Sequence, residues 1–241
     1  MNGPRNVRYA SYPGYDVLAK RDSPSWDGVT RRVIDARCAV EESSRFLGPA
    51  QFRALVALCD CLIPQPLDDD TCVAQDADGP VRVPIAALVD GKLLANHGDG
   101  FRDSRLPPLR EAWAIGLAAL DAESERAGRA PFAELDAQAQ RALIERMQRG
   151  ELHARAWQGM PCEVFFAKRA LHDICAAFYS HPASWSAIGF GGPANPRGYV
   201  RLVADRRDPW EAVEVVRKDT AAPTHAAENE NAARRKNRHV R

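Results

Sequence analysis

Apolar residues recur every three to four positions through six separate stretches of this chain, and no segment gives a competing hairpin signal. The first stretch follows Ser23-Pro24, a capping residue and a first-turn proline. It places Val29, Val33, Ala36 and Val40 on one face of a helix running to about Glu41. The second opens after Gly48-Pro49 and carries Phe52, Leu55, Leu58, Cys59 and Leu62. It must stop before Pro64, whose ring disfavours helical geometry at the preceding residue. A third helix is expected from Pro84 to about Asn96. The fourth begins at Pro107-Pro108 and keeps Leu109, Trp113, Gly116, Leu117 and Leu120 in register, with Gly128 as a left-handed stop. Asp136 caps a fifth, bearing Ala139, Leu143, Ile144 and Met147 and closed by Gly150. The sixth spans 161–180. Phe165 and Phe166 widen its stripe of Ala167, Ala170, Leu171, Ile174, Cys175 and Phe178, which puts it in the middle of a bundle.

Between and around these stretches the period disappears for different reasons. Residues 1–22 are rich in Gly, Pro, Tyr and Arg and read as an extended arm on a surface. Residues 64–83, with Asp68, Asp69 and Asp70, read as an irregular loop. From His181 to Tyr199 the sequence HPASWSAIGFGGPANPRGY has turn-forming residues but keeps Trp185, Ile188, Phe190 and Tyr199, so a structured loop is expected rather than a linker. Residues 217–241 turn to Ala, Glu, Asn and Arg, with too little apolar area to offset the entropy of ordering them. The expected architecture is an all-α bundle of about six helices. Residues 1–22 form the arm, 23–216 the helical domain with its Gly/Pro/aromatic C-terminal loop, and 217–241 a disordered basic tail.

Charge and composition narrow the function. Across 241 residues, 33 Lys and Arg balance 32 Asp and Glu, so no whole-surface field draws the protein to nucleic acid or to an anionic membrane. The longest apolar run, Phe52 to Ile63, is broken by Arg53 and Asp60, which excludes a direct membrane span. Met1 to Tyr15 has no apolar core of a secretory signal, so a cytoplasmic location is expected for the sequence as it stands. Periplasmic location would require export with a signal-bearing partner or a longer N-terminus.

Candidate chemistry is thin. Gly189, Gly191 and Ala194 satisfy the letters of a dinucleotide fingerprint, but no strand precedes them and Pro193 and Pro196 block the helix that should follow. Cysteines at 38, 59, 61, 72, 162 and 175 are too sparse for a disulfide framework. Cys59 and Cys61 point about 200° apart on a helix, so they cannot both ligate one metal. No C-x-x-C-H is present for haem attachment. His172 and His181 flank the end of the sixth helix beside Asp173, yet no nucleophile accompanies them, and they read as hydrogen-bonded helix-end residues. No catalytic, cofactor-binding or metal-binding residue is assigned. What stands out is an aromatic among guanidiniums in Arg206-Arg207-Asp208-Pro209-Trp210, the composition of a binding hot spot. The expected partner surface comprises Trp185, Ile188, Phe190, Gly191, Gly192, Tyr199, Arg206, Arg207 and Trp210.

Four segments together carry a family resemblance: FLGPAQFRALVALCDCLIP at 46–64, PFAELDAQAQRALIERMQRGE at 131–151, FYSHPASWSAIGFGGPANPRGYVRL at 178–202, and RRDPWEA at 206–212. Over about residues 15–215 the chain resembles the gluconate 2-dehydrogenase subunit 3 family. The resemblance implies a non-catalytic small subunit that binds, stabilises and helps assemble a large FAD-bearing dehydrogenase of the glucose-methanol-choline type, often beside a multi-haem cytochrome. It departs from many relatives in lacking a twin-arginine signal, and in having Ala183-Ser184-Trp185 where they show a tyrosine and glycines. Two other readings accompany it: a cytoplasmic assembly factor released after the flavoprotein folds, and a free-standing metal or redox protein using the cysteines with His172 and His181.

Overall fold

The helical period is realised in a computed structural model that describes residues 12, 15–65, 74–76, 79–127 and 130–213. Seven helices occur among the described residues: α1 Gly28–Cys38, α2 Pro49–Leu62, α3 Ile85–Ala95, α4 Leu109–Arg126, α5 Ala137–Gln148, α6 over 162–179, and α7 Pro182–Ile188. The fold is an all-α bundle, as the apolar period requires. The expected tail and Gly128 fall outside the described residues.

Local chemistry sets the helix ends. Asp27 caps α1 by accepting the N–H of Thr30 at 2.7 Å, four residues later than the cap expected at Ser23. Asp136 caps α5 by accepting from the N–H groups of Gln138 and Ala139. Pro49 occupies the first turn of α2, and Asn96 takes the left-handed conformation, φ 52°, that ends α3. Inside α3, the fully buried Asp90 accepts the N–H groups of Arg45, Phe46 and Leu47 at 2.7, 3.0 and 2.8 Å, which pins the α1–α2 connection to the bundle.

The main core lies between α2, α3, α4, α5 and α6. The expected stripe of α4 is buried throughout, including Trp113, Leu117 and Leu120. Gly116 has a packing reason: a Cβ there would run into the Phe165 ring, so its absence lets α4 and α6 approach closely. Phe165 meets Trp113 edge to face, with ring centroids 5.6 Å apart.

Four expectations need correction. The arm is not extended where it is described: Asp16 caps a 3-10 turn at Val17–Lys20, and Val17 is completely buried. The stripe expected to bury α1 faces outward, with Val29 57% exposed and Ala36 also exposed, because the one side chain the helix buries is Ile34. Within 64–83 the structure has a short antiparallel hairpin, β1 Ala74–Asp76 with β2 Gly79–Val81. Finally, His181–Tyr199 does not begin as a loop. Pro182 starts α7, and Gly189, φ 68°, ends it.

The sixth helix also departs from a simple stripe. It runs as Cys162–Phe165, a π-helical turn at Phe166–Ala170, and Leu171–Tyr179. The wide turn shifts the phase of everything after it. Ala167 and Leu171, expected inside, are exposed, while Arg169 and Asp173 turn inward with Ala170, Ile174 and Phe178.

A second, smaller core lies apart from the first. It consists of Val17, Trp26, Ile34 and Trp185, with Tyr15 packed against it. Thus the arm, α1 and α7 enclose a cluster whose members come from opposite ends of the chain.

Candidate functional site

Two places gather polar or reactive groups: an ionic cluster on α6, and the face where the arm meets the C-terminal loop. In the first, Asp173 has a fully buried side chain and accepts from Trp113 Nε1 at 2.8 Å and Lys92 Nζ at 2.9 Å. Arg169 Nη1 stands 3.4 Å from Asp173 and donates to Asp99 at 2.8 Å, while Lys92 also pairs with Asp99. Burial would raise the Asp99 carboxyl, but hydrogen bonds from Lys92 and Arg169 hold it below the usual carboxylate value. Asp99, His172 and Asp173 lie close enough to share an ion, the one such group among the described residues. Their oxygens are already engaged by an ammonium and a guanidinium, whose charges would repel a cation, so the cluster reads as a satisfied ion network. His172 is exposed, and its Nδ1 is 3.3 Å from Asp173.

Among the described residues the cysteines are not brought together with the histidines as a ligand set, since that one group contains no thiol. Cys59 is buried, with burial pushing its thiol well up, and burial also raises Cys38, Cys61, Cys162 and Cys175. Cys61 contacts Gln140 Oε1 at 3.4 Å, and Cys72 lies outside the described residues.

His181 is the helix-end residue the sequence suggested: its Nδ1 accepts the N–H of Ala183 and caps α7. The imidazole is buried, which lowers its pKa from 6.5 to about 4. Between those values the unfolded chain holds the proton and the folded one does not, so stability falls as pH drops through this window. The loss reaches at most about 3 kcal/mol at its acid end. We expect melting temperature to decline from pH 6.5 to 4, with a shallower slope for His181→Asn, which retains a capping oxygen; equal slopes would assign the decline to other groups.

The second place holds most of the expected partner residues. Trp26 Nε1 donates to Pro193 O at 2.7 Å, the N–H of Asp27 to Asn195 O at 2.9 Å, and Asn195 Nδ2 to Asp27 at 2.8 Å. The N–H of Val17 donates to Ser186 Oγ, and Lys20 Nζ to Gly191 O. These bonds clamp the loop onto the arm. Gly189 and Gly192 are required there: a Cβ on Gly189 would come within 2.6 Å of the Tyr12 ring, and one on Gly192 within 2.9 Å of Trp185. Gly189 ends a helix where a dinucleotide fingerprint needs glycines that open one.

Trp185, expected on an exposed surface, is buried instead. It is 4% exposed, donates to Tyr179 O at 2.6 Å, and belongs to the small core, because α7 turns it inward. Gly192 is buried beneath the loop and Gly191 half-buried. The others reach solvent: Ile188 is 44% exposed, Phe190 42%, and Tyr199 71% while its hydroxyl donates to Gly192 O. Phe190 rests edge-on against Trp185, with centroids 5.9 Å apart. Arg206 and Arg207 are exposed, and Trp210 is half-buried under the Arg197 guanidinium, whose carbon is 5.1 Å from the ring centroid. Sequence reasoning missed Val200, Leu202 and Val203, all more than half exposed, and the cleft beside them.

That cleft, of about 530 Å³, opens between the arm and the C-terminal loop, with Tyr12, Tyr15 and Lys20 on one side and Arg197, Tyr199 and Trp210 on the other. Asp16 before Val17-Leu18-Ala19 was the available sign that the arm folds; nothing in the spacing linked Lys20 to residues near 197.

Residues 49–192, more than half of the chain, match the family model described as gluconate 2-dehydrogenase subunit 3. The match runs from α2 to the glycines after α7 and leaves out the arm and the loop from Pro193 onward. No curated protein and no solved structure matches the chain.

Proposed function

The chain belongs to the gluconate 2-dehydrogenase subunit 3 family, and from that premise we propose that it is a non-catalytic small subunit holding a large FAD-bearing dehydrogenase of the glucose-methanol-choline type. In this reading flavin chemistry belongs to the partner, and this chain supplies a preformed face. One observation carries it: Ile188, Phe190, Tyr199, Val200, Leu202 and Val203 are exposed apolar side chains on one short stretch, anchored below by the Trp26 and Trp185 core. An exposed apolar group of this size marks a contact surface. A scaffold already fixed by hydrogen bonds loses little entropy on association, so its aromatic area converts to affinity efficiently.

The test is co-expression and co-purification with an FAD-bearing dehydrogenase of that type from the same organism. Phe190→Ala and Tyr199→Ala should each lower recovery of the flavin-absorbing partner, by roughly tenfold or more in affinity for a central aromatic, while the variant melts within a few degrees of the parent. Undiminished recovery with the double substitution would refute this surface. No helix of the described residues is long and apolar enough to cross a membrane, so membrane attachment of the complex would come from another subunit or segment.

A further inference from the structure

We infer that the cleft between the arm and the C-terminal loop binds a small multivalent oxyanion, a phosphate- or carboxylate-bearing molecule, with Lys20 at its floor. The inference rests on this chain alone and stands apart from the partner reading.

The argument starts from Lys20. Its residue is 3% exposed, yet among the described residues its ammonium has no carboxylate partner; it donates to the Gly191 carbonyl and lies 5.9 Å from the centre of the Trp26 ring. A buried ammonium with one of three donors used is costly unless a counter-charge is near. Burial lowers its pKa and the neighbouring Arg197 pushes the same way, with the Asp208 carboxylate opposing both.

Among the described residues the rest of the lining supplies only part of that counter-charge, through Asp208. Among the described residues the cleft has four cationic side chains, Lys20, Arg197, Arg201 and Arg207, against two acids, Asp208 and Glu211. Both acids are already engaged. Asp208 accepts from Arg197 at 3.0 Å and from the N–H of Leu202 at 2.9 Å. Glu211 accepts from Arg201 at 3.0 and 2.9 Å and from the N–H of Asp208 at 2.8 Å. Arg207 donates to the Ala212 carbonyl, which carries no charge. Two positive charges are therefore left over in a concave site.

The wall also has unspent polar hydrogens. Tyr15 Oη and Arg197 Nε and Nη1 are sealed from solvent and have no hydrogen-bond partner among the described residues. Natural interiors satisfy such groups, and those that remain mark strain or a ligand. Donors without acceptors, surplus positive charge and a volume of about 530 Å³ select an anion with several oxygens. A cation would meet the surplus charge, and an apolar ligand would leave the ammonium unpaired.

The full-length protein in low-salt buffer is titrated separately with phosphate, citrate and, at matched ionic strength, sodium chloride, with tryptophan fluorescence and melting temperature as readouts. Saturable binding of phosphate or citrate but not chloride is expected, and whichever anion binds tighter identifies the headgroup. Lys20→Met should weaken binding about tenfold and the exposed Arg207→Ala about threefold, the sizes expected for a buried and a peripheral charge-assisted contact. Arg207→Ala keeps the test decisive if Lys20→Met does not fold. Effects reproduced by chloride, or anion affinity unchanged in Arg207→Ala and in any folded Lys20 variant, would overturn the site.

Discussion

Trp185→Ala is expected to lower folding stability by about 3 to 5 kcal/mol, enough to unfold much of the arm and loop at physiological temperature. The indole is one of four residues in the small core, so its removal leaves Val17, Trp26 and Ile34 around a cavity that the short α7 cannot close. It also removes the donor to the Tyr179 carbonyl and the ring on which Phe190 rests. Thermal melting of the purified variant, followed by circular dichroism and by proteolysis near residue 20, checks this. A variant melting like the parent would show that the ring is dispensable to the fold. Phe190→Ala, by contrast, truncates a side chain that is 42% exposed and should melt nearly normally.

The second large effect is at Asp173. Its carboxylate is fully enclosed and gathers Lys92, Arg169 and the Trp113 indole N–H from α3, α6 and α4. Asp173→Ala leaves a buried guanidinium with only Asp99 to balance it and an indole N–H without an acceptor. Breaking a buried ionic network from one side costs about 3 to 5 kcal/mol, whereas a surface pair costs under about 1 kcal/mol. Chemical denaturation should show that loss in the midpoint with little change in slope. A loss below about 1 kcal/mol would mean that solvent reaches the cluster and that its charges are independently hydrated.

The six long periodic stretches were legible because helical packing writes itself into local spacing, as with Leu109, Trp113, Gly116, Leu117 and Leu120 on α4. The errors have physical sources. Val29, Val33 and Ala36 have the right spacing for a buried stripe, but which face of a short helix docks is decided by distant residues, here Trp26 and Trp185 against Ile34. The π-helical turn at Phe166–Ala170 carries no composition signal and moves Leu171 outward. Trp185 looked like a loop aromatic because α7 is only seven residues long and ends in glycines. Of the expected surface, Ile188, Phe190, Tyr199, Arg206 and Arg207 do face solvent. The cleft was hidden because it joins residues about 170 positions apart, as Lys20 to Gly191 does, and charge counting along the chain cannot see such a closure.

The central claim, that this chain serves as a docking subunit through its arm and loop face, is tested most directly by amide hydrogen exchange on the free chain and on its complex with the FAD-bearing dehydrogenase it co-purifies with. We predict a complex that retains one copy of this chain per flavin-bearing subunit, with new protection concentrated in residues 188–204 and little change in α4 and α5. Protection confined to other helices, or a flavoprotein that matures without retaining this chain, would contradict the account.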